Sequence, residues 1–466
     1  MRLLDALRLD EAGSKPLIAL TGAGGKSTLL FRLGNELVAS GRPVLLTATT
    51  RLWAHQTDRA PFVLISGSEA TLAFELPTSL RGYGQALAMA GSAREPGKLA
   101  GLAPDVICRL ATLDEVGAAV VEADGSRERP LKAPAAHEPM VPACATNMIT
   151  VANVAVVGQP LNHATVHRPE IAAALTGLSL GDILTPEAIA ALLVHPGGGL
   201  KGCPAGAAAV VYLNLALDET IEAAEVQRRL VAARRIAAVA LDHRPPLFRT
   251  VLIGSAQAAD PVSEAHGRVA AVVLAAGGSS RLGGDEAKQL LPWQRGGTLA
   301  GHAVDIALEA DTLSQVVVVT GYRAGEVQTA LADRPVRCVL NPEWQTGQSS
   351  SLAVGLNALE SDVAAVVFIL ADQPAVQPYT IDQLVMRHRQ TLAPVVAPLY
   401  HGGQRGNPVL FDRRTFRDLL ALQGDTGGRL LIQSYGDQVQ HVMIDAPMPQ
   451  GVETMDDYRR MVAGVG

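Results

Sequence analysis

Short apolar runs recur along the chain, each followed by a longer stretch in which apolar residues return at helical spacing. The runs LIAL at 17–20, VLLTAT at 44–49, GAAVVE at 117–122, AAVVYLN at 208–214 and IAAVAL at 236–241 predict buried strands. A second series, VAAVVLAA at 269–276, VVVVT at 316–320, AVVFILA at 365–371 and VVAPL at 395–399, predicts another set. Continuous apolar strands alternating with amphipathic helices are the pattern of parallel α/β folds, whose sheets are covered on both faces. Between the two series, IGSAQAADPVSEAHGR at 253–268 is small, polar and proline-containing, the composition of a linker. The expected organisation is therefore a domain over 1–252, a linker over 253–267 and a second domain over 268–466.

Composition narrows the function classes. With 466 residues the chain is too long for one core, and 48% apolar with 18% charged residues is a globular balance. A net charge of −6 argues against a nucleic-acid surface held by bulk electrostatics, so a bound polyanion needs local donors. The first residues, MRLLDALRLDEAG, are too charged for a secretory segment, and no apolar run reaches membrane-spanning length. Neither a membrane nor a nucleic-acid partner is expected. Cys108, Cys144, Cys203 and Cys338 stand far apart with no C-x-x-C, which leads us to expect reduced thiols and a cytoplasmic protein.

Candidate chemistry begins with VVLAAGGSSRLGGDEAKQLLPW at 272–293. A strand ending in a glycine-rich turn offers consecutive backbone N–H groups to phosphate oxygens. Arg281 and Lys288 add fixed positive charge, the set needed when an α-phosphate is attacked and pyrophosphate leaves. No G-x-G-x-x-G spacing can be read from Gly277, Gly278, Gly283 and Gly284. Ala287 stands before Lys288 where a Walker loop needs glycine. Downstream, VVFILADQP at 366–374 ends a strand in Asp372, a carboxylate suited to Mg²⁺ on the phosphates.

L-A-A-G-x-S-x-R-x-G, K-x-L-L-P and A-D-Q-P together resemble the MobA/MocA-type nucleotidyltransferases, and within them the molybdenum cofactor cytidylyltransferases. The likeness continues through TGYRAGEV, NPEWQTGQSSSL, GGQRGNPVLF and GDTGGRLLI. It implies a Rossmann-like nucleotidyltransferase (GT-A-like) domain that joins CTP to Mo-molybdopterin. Leu274, Ala275, Ala276, Gly277, Gly278, Ser279, Arg281, Lys288, Gln348 and Ser349 would bind the nucleotide. Lys288, Arg281 and Asp372 would be catalytic, and Gln404, Arg405, Asn407, Asp425, Gly427, Gly428 and Arg429 would face the pterin phosphate. This chain departs from the pattern in having four residues between Gly283 and Lys288. It also has Glu453 where relatives often carry a second metal-binding aspartate; a solvated acid near a helix start is the alternative there.

In the first half, ALTGAGGKSTLLFRLGNEL at 19–37 reads as strand, phosphate loop and helix, with Leu20 where a full Walker loop has its first glycine. Gly22, Gly24, Gly25, Lys26, Ser27 and Thr28 would take the phosphates of ATP or GTP, with Ser27 on Mg²⁺. Glu122 and Asp124 form a strand-end acidic pair for the same metal or a water. Taken singly, Lys132, His137 and Glu138 read as surface residues of a proline-rich loop. His163 and His167 have i, i+4 metal spacing but no third ligand. T-G-A-G-G-K-S-T, T-A-T-T-R, E-A-D-G-S-R-x-x-P-L-K-A-P-A-x-H-E-P and V-H-R-P-E together resemble the YqeC-type family, associated with selenium-dependent molybdenum hydroxylases. That implies a P-loop-type three-layer domain and a hydroxylase apoenzyme as client. The N-K-x-D of relatives is reduced here to Asn214, which leaves ATP versus GTP open. The competing functions are a sugar- or polyol-phosphate nucleotidyltransferase and a nucleotide-gated cofactor chaperone.

Overall fold

The computed structural model describes residues 1–9, 15–243, 247–278, 282, 286–294, 297–425 and 427–464. The chain forms two compact units, Met1–His266 and Gly267–Gly466, and both are α/β with sheets rich in parallel pairing.

The first unit is built on a nine-stranded sheet. Its strands are β1 (Leu17–Gly22), β2 (Val44–Ala48), β3 (Val63–Ile65), β4 (Gln85–Met89), β5 (Ala118–Glu122), β6 (Asn147–Asn153), β7 (Ala208–Asn214), β8 (Thr250–Gly254) and β9 (Glu264–His266). They lie in the order β9-β8-β7-β6-β1-β5-β2-β4-β3, all neighbours parallel except β8 and β9. Central β1, β2 and β5 are almost wholly buried, which explains their uninterrupted apolar sequences. β1 leads through a glycine-rich turn into helix α1 (Lys26–Ala39), and β1 and β5 are neighbours, so that turn and the Glu122 strand end open side by side.

The second unit has an eight-stranded sheet made of β10 (Arg268–Ala275), β11 (Gln315–Thr320), β12 (Arg337–Leu340), β13 (Val363–Leu370), β14 (Val395–Tyr400), β15 (Gln404–Arg405), β16 (Val409–Asp412) and β17 (Val439–Met443). The main path runs β12-β11-β10-β13-β16-β14-β15, with β17 paired parallel to β14. β10, β11, β12 and β13 are parallel; β16 runs against both β13 and β14. Along β10, Val269, Ala271, Val273 and Ala275 enter one apolar core while Val272 enters another, so both faces of the strand are sealed. β10 and β13, side by side, carry the glycine loop and Asp372 to the same edge.

Three expectations are corrected. IAAVAL at 236–241 is the last part of a helix, Ala223–Leu241, whose buried Ile236, Ala237 and Ala240 recur at helical spacing. Residues 253–267 are not a free linker. They contain the end of β8 and all of β9, and buried Glu264 accepts from Arg234 and His266 there. The Tyr212 hydroxyl also donates to Pro261 O at 2.6 Å. Cys108 and Cys144, expected as reduced thiols, form a disulfide, because the helix Pro104–Ala111 and the approach to β6 bring their Cα atoms within 5.9 Å. Cys203 and Cys338 are free thiols, and burial pushes both upward in pKa.

Candidate functional site

Each unit has a large cavity, lined in the first by the glycine loop itself and in the second by Leu274 of the strand that leads to its loop. In the first, Gly22, Gly24 and Gly25 all have positive φ, at 85°, 80° and 145°. A Cβ on Gly22 would stand 2.2 Å from Val151 O, so neither conformation nor space admits another residue. Asn214 Nδ2 donates to Gly24 O at 2.7 Å, and its Oδ1 accepts from Ala216 and Ala256. Asn214 is thus a brace for the loop, committed before any base could reach it.

Lys26 is buried. Its Nζ donates to Gly22 O at 2.7 Å and lies 3.3 Å from Asp124 and 3.8 Å from Glu122. The Ser27 hydroxyl donates to Glu122 Oε2 at 2.8 Å. Burial raises the Glu122 carboxyl above its ordinary pKa, against the pull of Lys26 and Ser27. Asp124 Oδ2 accepts from Gly22 N, whereas its buried Oδ1 receives no hydrogen bond. The structure puts Gly24, Gly25, Lys26, Ser27, Thr28 and Glu122 on the lining of one cavity of about 960 Å³; Gly22 and Asp124 are not on that lining.

Lys132 corrects the surface reading. Its side chain is 1% exposed and bridges Asp124 at 2.9 Å and Glu138 at 2.6 Å. The short parallel pair Leu131–Lys132 with Val166–His167 carries it inward. Glu138 also receives Arg168 at 2.8 Å, and these two cations, overcoming burial, hold its carboxyl at about 2. His167, half-buried on the cavity wall, is lowered to about 4 by burial and by the charges of Arg168 and Lys132. His163 is exposed and faces Glu170, so the two histidines do not make a metal pair. Among the described residues no group of three or more His, Cys, Asp or Glu is arranged to hold a metal. Arg51, Trp53, Arg127 and Arg129, undistinguished as single residues in the sequence, also line the cavity. The signal for them was only their neighbourhood in T-A-T-T-R-L-W and D-G-S-R-E-R.

In the second unit, Leu274 and Ala275 end β10, and Ala276, Gly277 and Gly278 follow. Ser279 and Arg281 lie outside the described residues. A Cβ on Gly278 would come within 2.5 Å of Trp344, and Gln289 Nε2 donates to Gly277 O at 2.8 Å. Lys288 forms an ion pair with Asp372 Oδ2, uniting the two predicted catalytic residues at the edge shared by β10 and β13. Val452 N donates to Asp372 O at 2.9 Å, which sets the Gly451–Glu453 segment beside that aspartate. Ser349 is not on the cavity wall; its hydroxyl donates to Gly424 O at 2.7 Å and fastens the helix α2 (Gln348–Asn357) to the Gly424–Asp425 turn.

The neighbouring cavity, about 630 Å³, is lined by Leu274, Gln348, Arg405, Asn407, Asp425, Gly427, Gly428 and Arg429. Its floor is apolar, formed by residues such as Leu352, Phe368, Val409 and Phe411. A Cβ on Gly428 would stand 2.6 Å from the Phe411 ring, and one on Gly427 would push aside the end of the Gln348 side chain, 2.4 Å away. Gln404 does not join them. It pairs with Tyr400 at the sheet edge and is exposed.

A strand-end glycine loop, a lysine–aspartate pair and a neighbouring cavity are the features of a nucleotidyltransferase. The MobA-like NTP transferase domain model matches residues 271–440 accordingly. The YqeC protein model matches residues 18–170, and in its first unit the chain belongs to the YqeC family. An uncharacterised YqeC protein from Escherichia coli is 35% identical over 211 residues, covering 45% of this chain and 80% of its own length. A protein named nicotine blue oxidoreductase, from Paenarthrobacter nicotinovorans, is 32% identical over 171 residues, covering 35% of this chain and 81% of its own. Among solved structures, a manganese complex of a Mycobacterium tuberculosis protein matches at 30% identity and TM-score 0.37, covering 42% of this chain and 98% of its own. No described helix is long and apolar enough to cross a membrane.

Proposed function

We propose that the second unit is a molybdenum cofactor cytidylyltransferase, joining CTP to Mo-molybdopterin with release of pyrophosphate. The observation that carries this reading is the convergence of Arg405, Asn407, Asp425 and Arg429, from two separate segments, on one cavity with an apolar floor. Guanidinium and amide donors suit a phosphate, and the Phe368 and Phe411 floor suits a flat heterocycle better than a polyhydroxylated sugar. Lys288 would neutralise charge on the departing pyrophosphate. Asp372 offers the hard oxygen that Mg²⁺ prefers, and Glu453 is a second candidate donor; Mg²⁺ there would hold and neutralise the phosphates. Gln289 keeps the loop in shape by clamping Gly277 O.

The first unit, in this proposal, is a nucleotide-binding accessory domain serving maturation of a molybdenum hydroxylase in the cytoplasm. ATP or GTP would place its phosphates on Gly24–Thr28, and Ser27 with Glu122 are the oxygen donors available to Mg²⁺. Carrying both activities on one chain raises the effective concentration of one site near the other. The relative named as an oxidoreductase favours a second reading, in which the second cavity binds its substrate for redox chemistry.

Purified protein incubated with Mo-molybdopterin and each of CTP, GTP and ATP, with pyrophosphate measured, tests the proposal. The methyl of Ala276 sits where a glycine would leave room for a larger base. CTP should therefore be preferred by about tenfold or more, or about 1.4 kcal/mol. Equal turnover with GTP rejects the base assignment, and a spectral change without pyrophosphate favours the redox reading.

A further inference from the structure

We propose that the cavity of the first unit holds a second substrate bearing a phosphate group, on the part of its lining that carries Arg51, Arg127, Arg129 and Arg168. This rests on the nucleotide reading of the Gly24–Thr28 loop and extends it from a nucleotide-binding site to a two-substrate site.

Size is the first argument. At about 960 Å³ the cavity stands at the upper end of small-molecule sites, which run from about 300 to 1,000 Å³. The phosphate loop occupies only one part of its lining, and the wall continues through Thr50–Trp53 and Gly125–Arg129 to His167 and Arg168.

Charge is the second. Lysines and arginines on the lining outnumber glutamates seven to four, in a chain whose net charge is −6. Several are already matched: Arg51 and Lys98 share Glu95, and Arg168 holds Glu138. Arg127 and Arg129 make no side-chain hydrogen bond or ion pair among the described residues. Each guanidinium is a planar fork of donors that can grip phosphate bidentately, and both stand on the lining.

Backbone conformation is the third. Arg127 and Glu128 both have positive φ, 49° and 61°, and Arg168 has 66°, although none is glycine. Left-handed conformations cost free energy in residues with a Cβ and collect where a ligand must be met. Here all three lie on the cavity lining. The wall is also rigidly backed, because buried Lys132 ties the Asp124 strand end to Glu138, which in turn fixes Arg168. His167, between these elements, presents a neutral imidazole that can donate to or accept from the second ligand without adding charge.

The experiment uses the full chain carrying Lys288→Ala, which removes the second unit's pyrophosphate contact. With Mg²⁺ and a saturating non-hydrolysable ATP or GTP analogue, pyrophosphate is titrated in by calorimetry. One further equivalent should bind, weakened at least about tenfold by Arg127→Gln/Arg129→Gln, while the analogue's affinity changes by less than about twofold. Pyrophosphate that only competes with the analogue, or binds equally well to the double variant, overturns the proposal. Succinate binding as tightly overturns the phosphate class. If no analogue binds, the nucleotide reading falls by itself, and pyrophosphate titrated into the free protein still reads the arginine wall through the same double variant.

Discussion

The two units begin alike and finish differently. Each sends an apolar central strand into a glycine-rich turn beside a neighbouring strand that ends in an acid, Glu122 in one and Asp372 in the other. In the first unit the acids, Lys26 and Lys132 are buried together as a network of ion pairs in which one Asp124 oxygen accepts no hydrogen bond, and the cavity beyond is polar and lined by arginines. In the second, one half-exposed lysine–aspartate pair stands at the edge and the cavity floor is made of leucine, valine and phenylalanine. In the proposed readings the shared strand–loop start would take the phosphates, and the walls, which come from segments far away in the chain, would choose what else is bound.

The largest effect should come from separating the two loops. Lys26→Ala should abolish nucleotide hydrolysis by the first unit, by about 100-fold or more, and leave CTP-dependent pyrophosphate release within about twofold. Lys288→Ala should do the reverse. If Lys26→Ala in folded protein stops pyrophosphate release, the comparison of two independent sites is wrong.

Asp372→Asn keeps size but removes charge, so pyrophosphate release should also fall by about 100-fold, with circular dichroism unchanged. Glu453→Gln should lose only a few-fold. Turnover by Asp372→Asn equal to wild type at saturating Mg²⁺ would reduce that aspartate to a structural partner of Lys288.

The buried charge network offers a stability test. Lys132→Met leaves Asp124 and Glu138 without their shared cation, and removing one partner of a buried pair costs about 3–5 kcal/mol. Chemical denaturation of the variant should show the loss. Asp372→Asn, in contrast, breaks a partly exposed pair and should leave stability within about 1 kcal/mol.

The smallest effect concerns pH. His167 is lowered from 6.5 to about 4 in the folded protein, so the unfolded chain binds more protons between those values. Its contribution is intact above pH 6.5 and is lost as pH falls towards 4. Glu138, lowered from 4.5 to about 2, adds a loss in the same direction below pH 4.5. Melting temperature should therefore decline from pH 7 to 4, and His167→Gln should flatten the upper part of that slope. An unchanged slope would mean that the imidazole is not held neutral by its surroundings.

Much of this protein was legible locally. Runs such as VAAVVLAA are strands sealed on both faces, and that burial writes itself as an unbroken apolar sequence. The glycines of T-G-A-G-G-K-S-T were legible for a different reason: positive φ and a carbonyl 2.2 Å from a would-be Cβ leave no other residue possible. The lysine–aspartate pair of the second unit was legible because each member sits immediately beyond such a strand or loop.

Other features had no local signature. IAAVAL is short and apolar enough for either a strand or a helix, and packing within Ala223–Leu241 decided it. The polar stretch 253–267 became a sheet edge because Arg234, Tyr212 and His266 supply partners for it. Cys108 met Cys144 across 36 residues, and Lys132 turned from an apparent surface residue into the bridge between two buried acids. Arg51, Arg127, Arg129 and Arg168 were ordinary arginines until the sheet order set their loops around one cavity. Backbone conformation and burial are imposed residue by residue and show in the residue types chosen. Charge pairing and cavity walls depend on which distant segments the fold makes neighbours, and that is fixed only when the chain closes on itself.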